Sequence, residues 1–216
     1  MVDFGHHAQN DRWAIELVFP DLRGGYFVEA GACGGNLGSA SYVLEREFEW
    51  NGICVEPLDT YYQQLIKLRH CETDNRCLSD VTGATVEFLT YAEDPARSGI
   101  LALNKNDQWA EQHHATPATM TKETVTLADL LQQHSAPATI EYLCLDVEGA
   151  EGTILGAFDF EGDHRFLAIS VEGNRCDDLL ASRGYLRAEN PFAPTPIDHY
   201  FLHPSIADRL SAILQH

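Results

Sequence analysis

The stretch "GYFVEAGACGGNLGSASYVLEREFEWNGICVEP", residues 25–57, decides the fold of this 216-residue chain. It runs from an apolar strand carrying Glu29, through a turn with Gly31, Gly34 and Gly35, into an amphipathic helix. A second apolar strand then ends at Glu56. Strand, glycine turn, helix and strand with two acids form a nucleotide-binding layout, because glycines let the backbone turn tightly and approach a ligand. The glycines miss the G-x-G-x-x-G register of a dinucleotide site, with Cys33 standing where the second glycine belongs, and no G-K-[ST] follows. A diphosphate cradle is therefore disfavoured, and an NAD-dependent oxidoreductase with it. Glu56 lies about 20 residues beyond the glycines, where a carboxylate accepts both hydroxyls of a ribose. A nucleoside cofactor without a diphosphate, S-adenosylmethionine, fits these features, and its cationic groups suit an acid-lined pocket.

Working outward, strands and helices alternate. Asp11 opens a helix bearing Ala14, Leu17 and Val18 that Pro20 stops. A helix from about Ser39 carries Val43, Leu44 and Phe48, and one capped by Asp59 or Thr60 carries Tyr61, Leu65 and Leu68. Residues 74–80 and 85–89 read as strands, and 126–134 as a short helix. The runs 141–149 and 166–174 are the most continuous apolar strands downstream. A helix at "DDLLASRGY", a strand at "IDHYFL" and a last helix with Ile206, Leu210 and Ile213 complete the pattern. Alternation of this kind predicts a doubly wound, mainly parallel sheet with helices on both faces, in one domain over 1–216. Residues 91–122 interrupt it. They show no clean strand pattern, allow a short helix around "NDQWAEQHH", and read as either a substrate-facing lid or a surface excursion.

The bulk composition restricts the function classes. With 44% apolar residues the chain can fill a core, and 33 acids against 14 bases give a net charge of −19. That sign repels phosphate backbones and anionic lipid, so neither nucleic acid nor membrane is an expected partner. No apolar run approaches a membrane span, and residues 1–13 lack a signal-peptide pattern, so a soluble, cytoplasmic protein is expected. The six cysteines form no C-x-x-C pair and read as buried free thiols.

Beyond layout, the opening stretch resembles the FkbM family of methyltransferases, whose pattern is roughly G-x-F-V-D-I-G-A-x-D-G, S-N-T-x-x-L-E, then G-W-x-G-I-x-I-E-P. Further blocks agree in order: "QNDRW" (9–13), Arg69 at a helix end, "CLSD" (77–80), "SGI" (98–100), "TLADLL" (126–131), "IEYLCLDVEGAEGTILGAFDF" (140–160) and "ISVEGN" (169–174). The resemblance implies a Rossmann-like class I methyltransferase fold with a seven-stranded sheet. It also implies S-adenosylmethionine-dependent methyl transfer to oxygen on a sugar or natural product. By position, Glu29, Gly31, Ala32, Gly35 and Ser39 would line the methionine and ribose end. Glu56 with Pro57 would hold the ribose, Ser79 and Asp80 would meet adenine, and Asp146 would stand beside the methyl group. Glu29 replaces the commoner Asp, Ala40 the asparagine of S-N-T, and Gly173 a frequent histidine.

A neutral hydroxyl needs a base or a metal before it attacks a methyl group. Asp146 and Glu148 follow one strand, Glu172 and Asn174 another. If those strands are neighbours, the four side chains converge. Asp146, Glu148 and Glu172 are the catalytic candidates, with Asp146 the leading base. The other use is a hard divalent ion such as Mg²⁺ on Asp146, Glu172 and Asn174. Glu151 is assigned to the helix start. Adjacent His6–His7 and His113–His114 are expected to point apart, which speaks against a histidine metal site. A non-catalytic nucleoside-binding scaffold of the same fold is the alternative function. The acceptor and the oligomeric state are not encoded in these motifs.

Overall fold

The computed structural model describes residues 2–195 and 197–207. Of the expected last helix, Leu210 and Ile213 lie outside these residues. The elements are α1 (Asn10–Arg12), continued by a π-helical turn (Trp13–Val18), β1 (Tyr26–Ala30), α2 (Tyr42–Phe48), β2 (Asn51–Val55), α3 (Asp59–Leu68), β3 (Glu72–Asp74), β4 (Cys77–Ser79) and β5 (Thr85–Tyr91). A 3₁₀ turn (Pro95–Arg97), β6 (Gly99–Ile100), α4 (Asp107–His113), β7 (Pro117–Thr126), α5 (Leu127–Gln133) and β8 (Thr139–Leu145) follow. The chain closes with α6 (Glu151–Ala157), β9 (Arg165–Glu172), α7 (Asp177–Ser182), β10 (Leu186–Ala188), β11 (Asp198–Leu202) and α8 (Pro204–Ala207).

Seven strands form one sheet in the order β10-β11-β9-β8-β1-β2-β3. The pairs from β9 through β3 are parallel, and β11 is antiparallel to both β9 and β10. Because strand side chains alternate, each central strand feeds two cores. Val28, Ile53, Leu143 and Ile169 pack on one face with Leu130 of α5 and Leu155 of α6. Phe27, Cys54, Tyr142 and Ala168 pack on the other with Trp13, Leu44 of α2 and Leu65 of α3. Burial on both faces is why these strands read as unbroken apolar runs.

Two expectations change. The run 74–80 is not one strand: β3 ends at Asp74, and β4 belongs to a separate four-stranded sheet, β4-β7-β5-β6. The break is held by Asn75, whose side-chain amide donates to the carbonyls of Glu56 and Pro57, and by the Arg76–Asp74 ion pair. Residues 117–122, expected to lack strand, are the first part of β7, antiparallel to β5 from Pro117 to Glu123. Its exposed, polar start hides the strand from a reading based on apolar residues.

Candidate active site

Chain order reverses between β1 and β8, which are neighbours although far apart in sequence. Ligands of open α/β sheets bind at the carboxyl ends beside such a reversal. A cavity of about 500 Å³ opens there, lined among others by Gly31, Gly34, Glu56, Asp146, Glu148 and Glu172. At its floor the turn after β1 touches the end of β8. A Cβ on Gly31 (φ +87°) would lie 1.9 Å from the Asp146 carbonyl oxygen, so only glycine fits.

One end of the cavity is built around Glu56, which is 5% exposed. Its two carboxylate oxygens accept the Cys33 N–H (2.9 Å) and the Leu58 N–H (2.7 Å). Burial nevertheless pushes its carboxyl up to about 7, against the lowering by those two amides. Each oxygen keeps a lone pair free for a further donor. Pro57, Tyr61 and Leu78 extend this end.

The opposite end holds the acids. β8 and β9 are neighbours, and the carboxylate oxygens of Asp146, Glu148 and Glu172 lie within 4.8 Å of one another. Asn174, exposed beyond β9, does not line the cavity, whereas Glu148 does. Burial first, and then Glu172 and Glu148, raise the Asp146 carboxyl well above the usual carboxylate range. Burial and then Glu148 push Glu172 up to about 7. Glu148 is raised by burial, while the Asn106 amide that donates to it (2.7 Å) works the other way. Glu151 serves the helix start, accepting the N–H groups of Val147 (3.0 Å) and Gly149 (3.3 Å).

Several residues placed at the cofactor by the motif stand elsewhere. Glu29 is 2% exposed and lies behind the turn. Its carboxylate accepts the Ser39 hydroxyl (2.7 Å), the Ala40 N–H (2.6 Å) and the Ser41 hydroxyl, and pairs with Arg69 at 3.7 Å. Ser39 is thereby consumed in the same network, and the Ala40 side chain is fully buried. Ala32 and Gly35 are absent from the cavity wall, as are Ser79 and exposed Asp80, which bond to each other (3.1 Å). These six residues, Glu29, Ala32, Gly35, Ser39, Ser79 and Asp80, lie outside the cavity wall.

Other wall residues escaped the sequence reading. Asp94 through Ile100 line the cavity, so part of the 91–122 segment faces the site, which is the substrate-facing one of its two expected readings, though apart from the "SGI" block no individual residue of it was marked. His7 lines it too. The expectation that His6 and His7 diverge is wrong, because both lie outside helix and strand, where alternation does not apply. Their ring centroids lie 4.5 Å apart with the planes tilted by 33°.

Of the comparisons with known proteins, one identifies the family. A search of curated proteins found no match. Among solved structures, the chain is similar to a human methyltransferase 10 domain containing protein, at 12% identity over 88% of this chain and 78% of that one, with a TM-score of 0.38. A family model described as the methyltransferase FkbM domain matches residues 29–186, from the acid of β1 to the first residue of β10. That span holds the glycine turn, Glu56 and all three clustered carboxylates, and the chain belongs to the FkbM methyltransferase domain family.

Proposed function

We propose that this protein is an S-adenosylmethionine-dependent O-methyltransferase of the Rossmann-like class I type, acting on a hydroxyl of a small metabolite such as a sugar or natural product. The observation that carries this reading is one cavity with a glycine turn and a ribose-type carboxylate at one end and three carboxylates at the other. Its volume lies in the usual range for small-molecule sites. The free lone pairs of Glu56 suit a cis-diol, and the glycine turn leaves room beside them. S-adenosylmethionine, when bound, supplies an electrophilic methyl whose bond to sulfur breaks as the acceptor oxygen attacks. The chain's own residues do the rest. Glu56 fixes the ribose end, and the wall at 94–100 closes on the acceptor. The Asp146 cluster takes the acceptor's proton as its oxygen bonds to carbon. Much of the acceleration is positioning, since the displacement must be in line.

Calorimetric titration with S-adenosylhomocysteine tests this. Wild type is expected to bind at micromolar concentration, and Glu56→Ala about ten- to a hundredfold more weakly, the loss of charge-assisted hydrogen bonds. Asp146→Asn should stay within about tenfold of wild type, since Asp146 serves the acceptor. No binding by the wild type overturns the proposal.

A further inference from the structure

We propose that Asn106 is a latch that holds the cavity wall at 94–106 against the end of β8, with Glu148 as its anchor, and that its release opens the acceptor end of the cavity. Between β6 and β7, from Leu101 to Thr116, Asn106 is the single buried residue, at 8% exposure. Neither the 3₁₀ turn at Pro95–Arg97 nor α4 contains a buried residue. A segment with so little apolar burial is held by its hydrogen bonds and opens locally at low cost. Trp109 of α4, half-buried against Tyr91 with ring centroids 5.4 Å apart, is the pivot that remains.

The bonds of Asn106 all serve one junction. Its amide nitrogen donates to the Glu148 carboxylate (2.7 Å) and to the Arg97 carbonyl (3.1 Å), and its amide oxygen accepts Arg97 Nη1 (3.2 Å). Its backbone N–H donates to the Asn104 side chain (3.0 Å), and its carbonyl accepts the Ala110 N–H (2.8 Å) that begins α4. An asparagine can do this because one side chain carries two donors and an acceptor. The surfaces brought together fit closely. A Cβ on Gly149 would lie 2.2 Å from the Leu103 carbonyl oxygen, and one on Gly99 would lie 3.1 Å from the Glu148 Cβ. Glu148 itself has φ +59°, a left-handed conformation that costs a residue with a side chain and persists where the surroundings fix it. Asn106 and Glu148 are therefore positioning residues, which leaves Asp146 and Glu172 to meet the acceptor's proton. The inference rests on the methyl-transfer reading for its use. Closed, the wall holds Arg97 and Ser98 beside the acceptor, and open, it lets acceptor and product pass.

Hydrogen–deuterium exchange of the full chain, read by mass spectrometry, tests the latch. In Asn106→Leu the amides of residues 97–106 should exchange about tenfold faster or more, and trypsin should cut after Arg97 sooner by a similar factor. Amides of β1 and β8 should keep their wild-type rates, which separates release of the wall from loss of the fold. Glu148→Ala should also release the wall. Glu148→Gln retains an oxygen to accept the Asn106 amide and should stay within about threefold of wild type. Combining Asn106→Leu with Glu148→Ala should open the wall no further than Asn106→Leu alone, because both remove one shared interaction. Wild-type exchange in Asn106→Leu, or a wall as open in Glu148→Gln as in Glu148→Ala, overturns the latch. S-adenosylhomocysteine titrated into the wild type separates the two ideas. Nucleoside binding without a latch removes only this inference, and a latch without nucleoside binding removes the methyl-transfer reading.

Discussion

At the scale of single residues, two glutamates with the same motif standing have opposite employment. Glu56 keeps acceptor capacity on the cavity wall, whereas Glu29 spends its capacity on Ser39, Ala40, Ser41 and Arg69. Glu56 titrates near neutrality, and only its ionised form accepts both hydroxyls of a diol. Binding should therefore draw its carboxyl downward and release a proton. The expected outcome is that S-adenosylhomocysteine affinity rises between about pH 5.5 and 8 and levels off above. Calorimetry at pH 6 in buffers of different ionisation enthalpy should report proton release in wild type and none in Glu56→Gln. For the empty protein the sign is reversed. A carboxyl raised to about 7 in the folded chain contributes stability below its unfolded value, and this is lost as pH rises through 7.

Among elements, the turn after β1 is held by a buried ionic network rather than by ligand contacts alone. Arg69, the residue ending α3, bonds Glu45 of α2, the Gly35 carbonyl (3.3 Å) and the hydroxyls of Ser39 (3.1 Å) and Ser41 (2.8 Å). One guanidinium thus ties α2, α3, β1 and the turn together. Its removal strands the carboxylates of Glu29 and Glu45 in the core. Arg69→Met is expected to cost about 3–5 kcal/mol in a denaturant melt. A loss within about 0.5 kcal/mol would mean the turn is held by packing alone. The motif marked Glu29, Ser39 and Arg69 as a set, but their purpose was not legible there. Spacing records that residues recur together, not which way each side chain points. The alternation of β1 decides the direction, and it turns Glu29 toward Arg69 on the face shared with Cys54.

For the whole molecule, the charge of −19 is a self-repelling field around a sheet whose acids converge at one crevice. Raising NaCl from about 0.02 to 0.3 M should screen it and raise the melting temperature by roughly 2–4 °C, the shift for about 1 kcal/mol in a chain of this size. A melting point that falls with salt would show that specific ion pairs outweigh the net field. No helix among the described residues is long and apolar enough to cross a membrane.

Local sequence determined the parts of this protein whose physics is local. Buried strands declare themselves by apolar runs, the glycine turn by its composition, and the FkbM family by the order of its blocks. The acids at the ends of β8 and β9 were legible for the same reason, since each follows a strong strand directly. Only the tertiary structure decided what depends on partners distant in the chain. The polar strand β7 exists because β5 pairs with it, and residues 77–79 leave the main sheet because Asn75 pins the break. His7 reaches Asp146 across well over half of the chain because the N-terminal segment is drawn over the β8–β9–β11 face by Asn10 and the burial of Trp13. Such long-range contacts follow from the closure of the whole core, and no window of sequence contains both partners.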